Sequence, residues 1–108
     1  MDNVSAMEKG FVKVASLDEL SECGGIQRRV SNREVALFRL DGEIQAIDGE
    51  CPHMGAFLGE GLVEDGHVYC PMHGWGFNIR TGECSTSPNA KTTCFEVKEL
   101  DGGIWVRL

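Results

Sequence analysis

Apolar residues in this chain come in short runs that alternate with polar ones and break off at glycine-containing turns, which is how antiparallel strands read. The alternation is clearest near the end: Phe95 and Val97 against Glu96 and Lys98, then Ile104, Val106 and Leu108 against Trp105 and Arg107. One face of such a hairpin must be buried, which puts Trp105 and Arg107 on the other. The same reading predicts strands at 11–15, 26–31, 34–40, 43–48, 67–70, 76–79, 94–100 and 103–108. Asp41-Gly42, Asp65-Gly66, Thr81-Gly82 and Asp101-Gly102 supply the positive-φ residues of tight turns. Eight strands joined in this way predict an all-β fold, an antiparallel sandwich or small barrel.

Ser16-Leu17-Asp18-Glu19 has the form of a capping box and predicts a single helical turn before Leu20. Residues 49–66, rich in glycine and without a sustained period, are expected to form a long ordered loop, and loops of that length usually carry function. With 108 residues, 42% hydrophobic and 25% charged, the chain is expected to fold as one domain, 1–108, without disulfide staples. The stretch 48–84 reads as an insert between strands of that domain.

A net charge of −7 argues against nucleic acid or an anionic membrane surface as the partner and favours a basic protein. The start of the chain lacks a basic segment followed by an apolar one, and no apolar run approaches a membrane span, so the expected location is the cytoplasm. Five cysteines make an odd number. Cys23, Cys84 and Cys94 are expected as buried or partly buried thiols.

The remaining two cysteines carry the chemistry. Cys51-Pro52-His53 and Cys70-Pro71-Met72-His73 each place one thiolate and one imidazole on a loop, with 16 residues between His53 and Cys70. Two sulfur and two nitrogen ligands close a tetrahedral zinc site, or hold a 2Fe-2S cluster when divided between two irons. The first possibility describes a zinc-stabilised protein-binding module, the second an electron carrier.

The spacing, together with Met54-Gly55, Gly74-Trp75, Phe77 and Thr81-Gly82, resembles the signature of Rieske 2Fe-2S proteins over residues 51–82, with a weaker likeness over most of the chain. The resemblance implies a Rieske-like β fold with an inserted cluster-binding subdomain. It also implies that Cys51 and Cys70 bind the inner iron and that His53 and His73 bind the outer iron near the surface. Proline after each cysteine fixes φ, and Gly55 and Gly74 let backbone amides approach the sulfur atoms. Ser85-Thr86-Ser87-Pro88-Asn89 resembles the third loop over the cluster. Trp75 and Phe77 are expected as core or cluster-shielding residues, His67 as a surface residue starting a strand, and Met54 and Phe57 either as part of a docking patch or as packing of the loop.

High-potential Rieske proteins carry two extra cysteines and hydroxyl donors beside the cluster. This chain has Ala56, Met72, Trp75 and Phe77 at the matching positions, so a potential near the bottom of a range of roughly −150 to +300 mV is expected. The resemblance is to soluble ferredoxins that take electrons from a flavin-dependent reductase and pass them to a terminal oxygenase. It extends to the small subunit of cytoplasmic NAD(P)H nitrite reductase, whose partner is a sirohaem protein. No phosphate-binding loop and no nucleophile-base set is recognisable, so the chain by itself is expected to be an electron-transfer component and not an enzyme.

Overall fold

The computed structural model describes residues 10–21, 24–52, 55–72, 74–87 and 89–108. Nine strands run through them: β1 Phe11–Ser16, β2 Gly25–Val30, β3 Arg33–Leu40, β4 Glu43–Asp48, β5 Leu62–Glu64, β6 His67–Tyr69, β7 Gly76–Asn78, β8 Cys94–Leu100 and β9 Gly103–Arg107. All pairings are antiparallel. The strands make a six-stranded sheet in the order β1-β9-β8-β4-β3-β2 and a three-stranded sheet in the order β5-β6-β7. Two 3-10 turns, Leu17–Glu19 and Leu58–Glu60, are the helical elements among the described residues. No helix there is long and apolar enough to cross a membrane.

Strand β3 explains how the two sheets share one interior. Its run Val35-Ala36-Leu37-Phe38 is fully buried, and alternate residues enter different clusters. Val35 and Leu37 join Ile44, Ala46, Ile104 and Val106 inside the curled six-stranded sheet. Ala36 and Phe38 point the other way and join Ile47, Leu58, Val68, Phe77 and Ile79 under the three-stranded sheet. A strand covered on both faces reads as an unbroken apolar run instead of an alternating one.

Turn chemistry sets the register. Asp41-Gly42, Asp65-Gly66 and Asp101-Gly102 have positive φ at both residues and join β3 to β4, β5 to β6 and β8 to β9. Ser31 and Asn32 do the same between β2 and β3, a hairpin the sequence did not announce because it contains no glycine. The predicted helical turn is the 3-10 turn after Ser16, where the Glu19 carboxylate accepts the Ser16 N–H at 3.3 Å. An ion pair to Arg28 and that backbone bond hold the Glu19 carboxyl below its usual range, the backbone bond being the larger influence.

Three expectations are corrected. Residues 49–66 are not all loop, because Leu62–Glu64 pairs with β6. Trp105 is only 5% exposed, since Phe11 and Leu100 pack on it from the face that alternation left to solvent. Cys94 is exposed, while Cys84 is buried as expected.

Candidate metal centre

Cys51 and Cys70 each open a hairpin loop, and the two loops close alike. In the first, the Cys51 N–H donates to the Ala56 carbonyl at 2.8 Å and the Gly55 N–H donates back to the Cys51 carbonyl at 2.7 Å. In the second, Cys70 donates to the Trp75 carbonyl and Gly74 to the Cys70 carbonyl, both at 2.8 Å. Flanking pairs frame both loops, Glu50 with Phe57 and Tyr69 with Gly76. The returning residue must turn with positive φ, and Gly55 at +74° and Gly74 at +73° do so. A Cβ at either would meet nothing within 4 Å, so backbone angle and not space selects glycine here. The glycines' own N–H groups therefore serve loop closure.

The bases of the hairpins are held differently. Gly49 and Gly59 flank the first, and the Gln27 side chain of β2 lies against both: Nε2 donates to the Gly49 carbonyl at 3.1 Å, and Oε1 accepts the Gly59 N–H at 2.8 Å. The second Nε2 hydrogen goes to Glu34 Oε1 at 2.9 Å, and Arg29 holds the other oxygen of that carboxylate at 3.3 Å. At the second hairpin, the Gly76 N–H donates to Thr86 Oγ1 at 3.0 Å. The Gly76 carbonyl accepts from the Ser85 N–H at 2.8 Å and from its hydroxyl at 3.3 Å. The 85–87 segment thus braces the Cys70 side.

Burial changes sharply along each loop. Cys51 and Cys70 are 1% and 2% exposed, packed among Leu58, Val68, Phe77, Ile79 and Cys84, whereas Pro52, Gly55, Met72 and Gly74 are exposed. Two thiols brought to one apolar interior by paired loops fit the inner side of a 2Fe-2S cluster. Two thiolates cancel the charge that two ferric ions keep after binding two sulfides, so the oxidised cluster adds no net charge to this interior.

Among the predicted site residues, Cys51 and Cys70 thus share one cluster of the core. His53, His73, Met54, Pro88 and Cys23 lie outside the described residues. No three His, Cys, Asp or Glu side chains gather into a metal-binding group among the described residues. Phe77 is fully buried, Trp75 is half-buried against the same core, and Phe57 and Met72 are exposed. His67 begins β6, half-buried, with Nδ1 3.0 Å from the Asp65 carbonyl oxygen. Sequence reading missed Gln27, which bonds residues 22 and 32 positions away. The available signal was the pair of glycines at 49 and 59, whose added Cβ atoms would both strike its amide.

Comparison with known proteins places these features. The chain is 37% identical over 95 residues to the 3-phenylpropionate/cinnamic acid dioxygenase ferredoxin subunit of Photorhabdus laumondii, covering 86% of this chain and 90% of that one. Its structure is similar to a chain in the complex of reduced oxygenase and oxidized ferredoxin in carbazole 1,9a-dioxygenase, with a TM-score of 0.79 and 29% identity over 88% of this chain and 99% of the other. It is also similar, with a TM-score of 0.80 and 26% identity, to a chain assigned as an NADH-dependent nitrite reductase small subunit from Mycobacterium tuberculosis, covering 89% and 92%. Residues 10–100 match the Rieske 2Fe-2S domain, and the chain belongs to that family as an electron carrier with one Rieske 2Fe-2S cluster.

Proposed function

We propose that Cys51, His53, Cys70 and His73 hold the cluster, the cysteines on the inner iron and the histidines on the outer one, and that the chain relays single electrons from a flavin-dependent reductase to a terminal oxygenase. The observation that carries this reading is the pair of like-built hairpins with buried cysteines and exposed loop tips. A cluster bound there supplies reversible one-electron reduction, with histidine ligation raising its potential above that of all-cysteine clusters. The core residues Leu58, Val68 and Phe77 keep water from the cysteine side, so exchange with a partner is left to the tips. Met72, 64% exposed, and Phe57 offer apolar contact beside those tips, and the net charge of −7 suits a partner with a basic rim.

Ala56, Met72, Trp75 and Phe77 bring no hydroxyl, and Ser85 donates its own to the Gly76 carbonyl. This supports a midpoint near the bottom of the Rieske range of roughly −150 to +300 mV. We read residues 48–84 as an insert in a single domain, working in the cytoplasm as a nicotinamide-fed reductase requires. The likeness to the nitrite reductase small subunit supports a second reading, in which the acceptor is a sirohaem protein. Copurification with such a protein, as against turnover of a separate oxygenase, separates the two.

Low-temperature electron paramagnetic resonance of the dithionite-reduced protein tests the ligand set. The expected result is a rhombic signal with an average g below that of all-cysteine clusters. A silent, colourless protein holding zinc would replace this reading with a zinc-stabilised binding module.

A further inference from the structure

We infer that Gln27 is a positioning residue for the Cys51 side of the cluster, setting that hairpin through Gly49 and Gly59. The inference rests on the ligand assignment just given. Gln27 sits on β2, at the edge of the six-stranded sheet, and its neighbours Ile26 and Val30 pack into the other interior. Its own side chain faces the hairpin, and both bonds fall on the base: the Gly49 carbonyl, two residues before Cys51, and the Gly59 N–H on the returning side. The Gly49 carbonyl also accepts the Leu58 N–H at 2.7 Å, so Gln27 completes a bridge across the two sides of the hairpin.

Space as well as bonding ties the three residues together. A Cβ at Gly59 would lie 2.5 Å from Gln27 Oε1, 2.8 Å from the Ile26 carbonyl oxygen and 2.9 Å from the Gln27 Cα. The 3-10 turn therefore rests directly on the β2 backbone, and the amide fills the volume that side chains at 49 and 59 would take. Glu34 fixes the amide's orientation, because a carboxylate accepts and never donates when ionised, so the NH2 must face it and Oε1 must face Gly59. The Gly49 N–H donates to the Glu34 carbonyl at 2.9 Å, which ties the same residue to the hairpin a second way. The arrangement resembles the outer groups that orient metal ligands without touching the metal.

The test compares iron-loaded wild-type protein with Gln27→Leu, Gln27→Met, Gln27→Glu and, as the mirror case, Thr86→Val. Two quantities are read: the rate of iron release to an excess of a strong iron chelator, and hydrogen exchange at Leu58 and Gly59 against Gly74 and Gly76. For Gln27→Leu, release about tenfold faster is expected, at the lower end of effects from such outer groups. Exchange should rise at Gly59 and stay unchanged at Gly74. Gln27→Glu keeps an acceptor for Gly59 but sets an oxygen where the donor faced Glu34 and the Gly49 carbonyl, so at neutral pH it should release iron at least as fast as the leucine variant. Gln27→Met, which keeps the length and loses the bonds, carries the test should the leucine variant not fold. Thr86→Val should reverse the pattern, raising exchange at Gly76 alone.

Unchanged release together with unchanged Gly59 exchange would overturn the inference. So would equal acceleration at both hairpins, which marks general loss of stability. Failure of the ligand assignment shows separately, as wild-type protein without the mixed-ligand signal, and Gly59 exchange in that protein still decides whether the clamp exists.

Discussion

The Cys51 and Cys70 hairpins close through the same two backbone bonds, at 2.7 and 2.8 Å in one and 2.8 Å in the other, yet Gln27 of the large sheet holds the first, and Thr86 and Ser85 hold the second. Their sequences hold the same five residues, Cys-Pro-His-Met-Gly and Cys-Pro-Met-His-Gly, with histidine and methionine exchanged. Backbone closure is therefore indifferent to which of the two positions carries the imidazole. With the ligand set proposed above, the asymmetry of the centre would reside in ligand register and in the anchors.

Exchanging the register is the hardest test of that difference. The double substitution His53→Met with Met54→His would give both loops the order found in the second. One residue shifts the attachment point by about 3.8 Å, against a tolerance of about 0.2 Å in a metal-ligand bond. Iron content should fall to background while strand content by circular dichroism stays as in the wild type; retained iron would show that either position can ligate.

Alanine at the anchoring glycines sharpens the contrast. At Gly59 the new Cβ meets backbone, the Ile26 carbonyl at 2.8 Å, whereas at Gly76 it meets side chains, Tyr69 Cε1 at 2.7 Å and Ser85 Oγ at 2.8 Å. Side chains can turn aside and backbone cannot, so Gly59→Ala should cost more, about 1–3 kcal/mol in denaturant unfolding. Equal costs would mean that the Tyr69 and Ser85 packing is as rigid as the sheet.

The smallest effect concerns neither hairpin and serves as their baseline. Although Cys94 is exposed, the atoms packed beside it desolvate its thiol and push it above its ordinary value of 9.0, with Lys91 pulling the other way. A raised thiol leaves stability whole below that ordinary value and removes it as pH rises through the raised one. Wild type and Cys94→Ser should unfold alike at neutral pH, and wild type should lose stability faster in alkali, with exchange at Gly59 and Gly76 unaffected.

The parts that were legible in the sequence were those written locally. The Asp-Gly turns specify hairpins by their own φ preferences, and the Cys-Pro segments stand out by composition. Trp105 defeated alternation because its roof, Phe11, arrives from the far end of the chain. Strand β5 has three residues, too few to show a period, and is made by pairing with β6. Gln27 looked like any polar residue on a half-exposed strand, since its role depends on partners more than twenty positions away.

The pairing of β1 with β9 joins residues 11–16 to 103–107, nearly the whole chain apart, while β2-β3-β4 and β5-β6-β7 are meanders closed largely over short turns. Distant closure is the entropically slow step of assembly, and local hairpins form ahead of it. Both cysteine loops are such local parts, and Gln27 ties the first of them to the large sheet. The seam between β1 and β9 would then be the last to shut, and with the ligand set proposed above a cluster inserted during folding would meet Cys51 and Cys70 before the barrel is sealed.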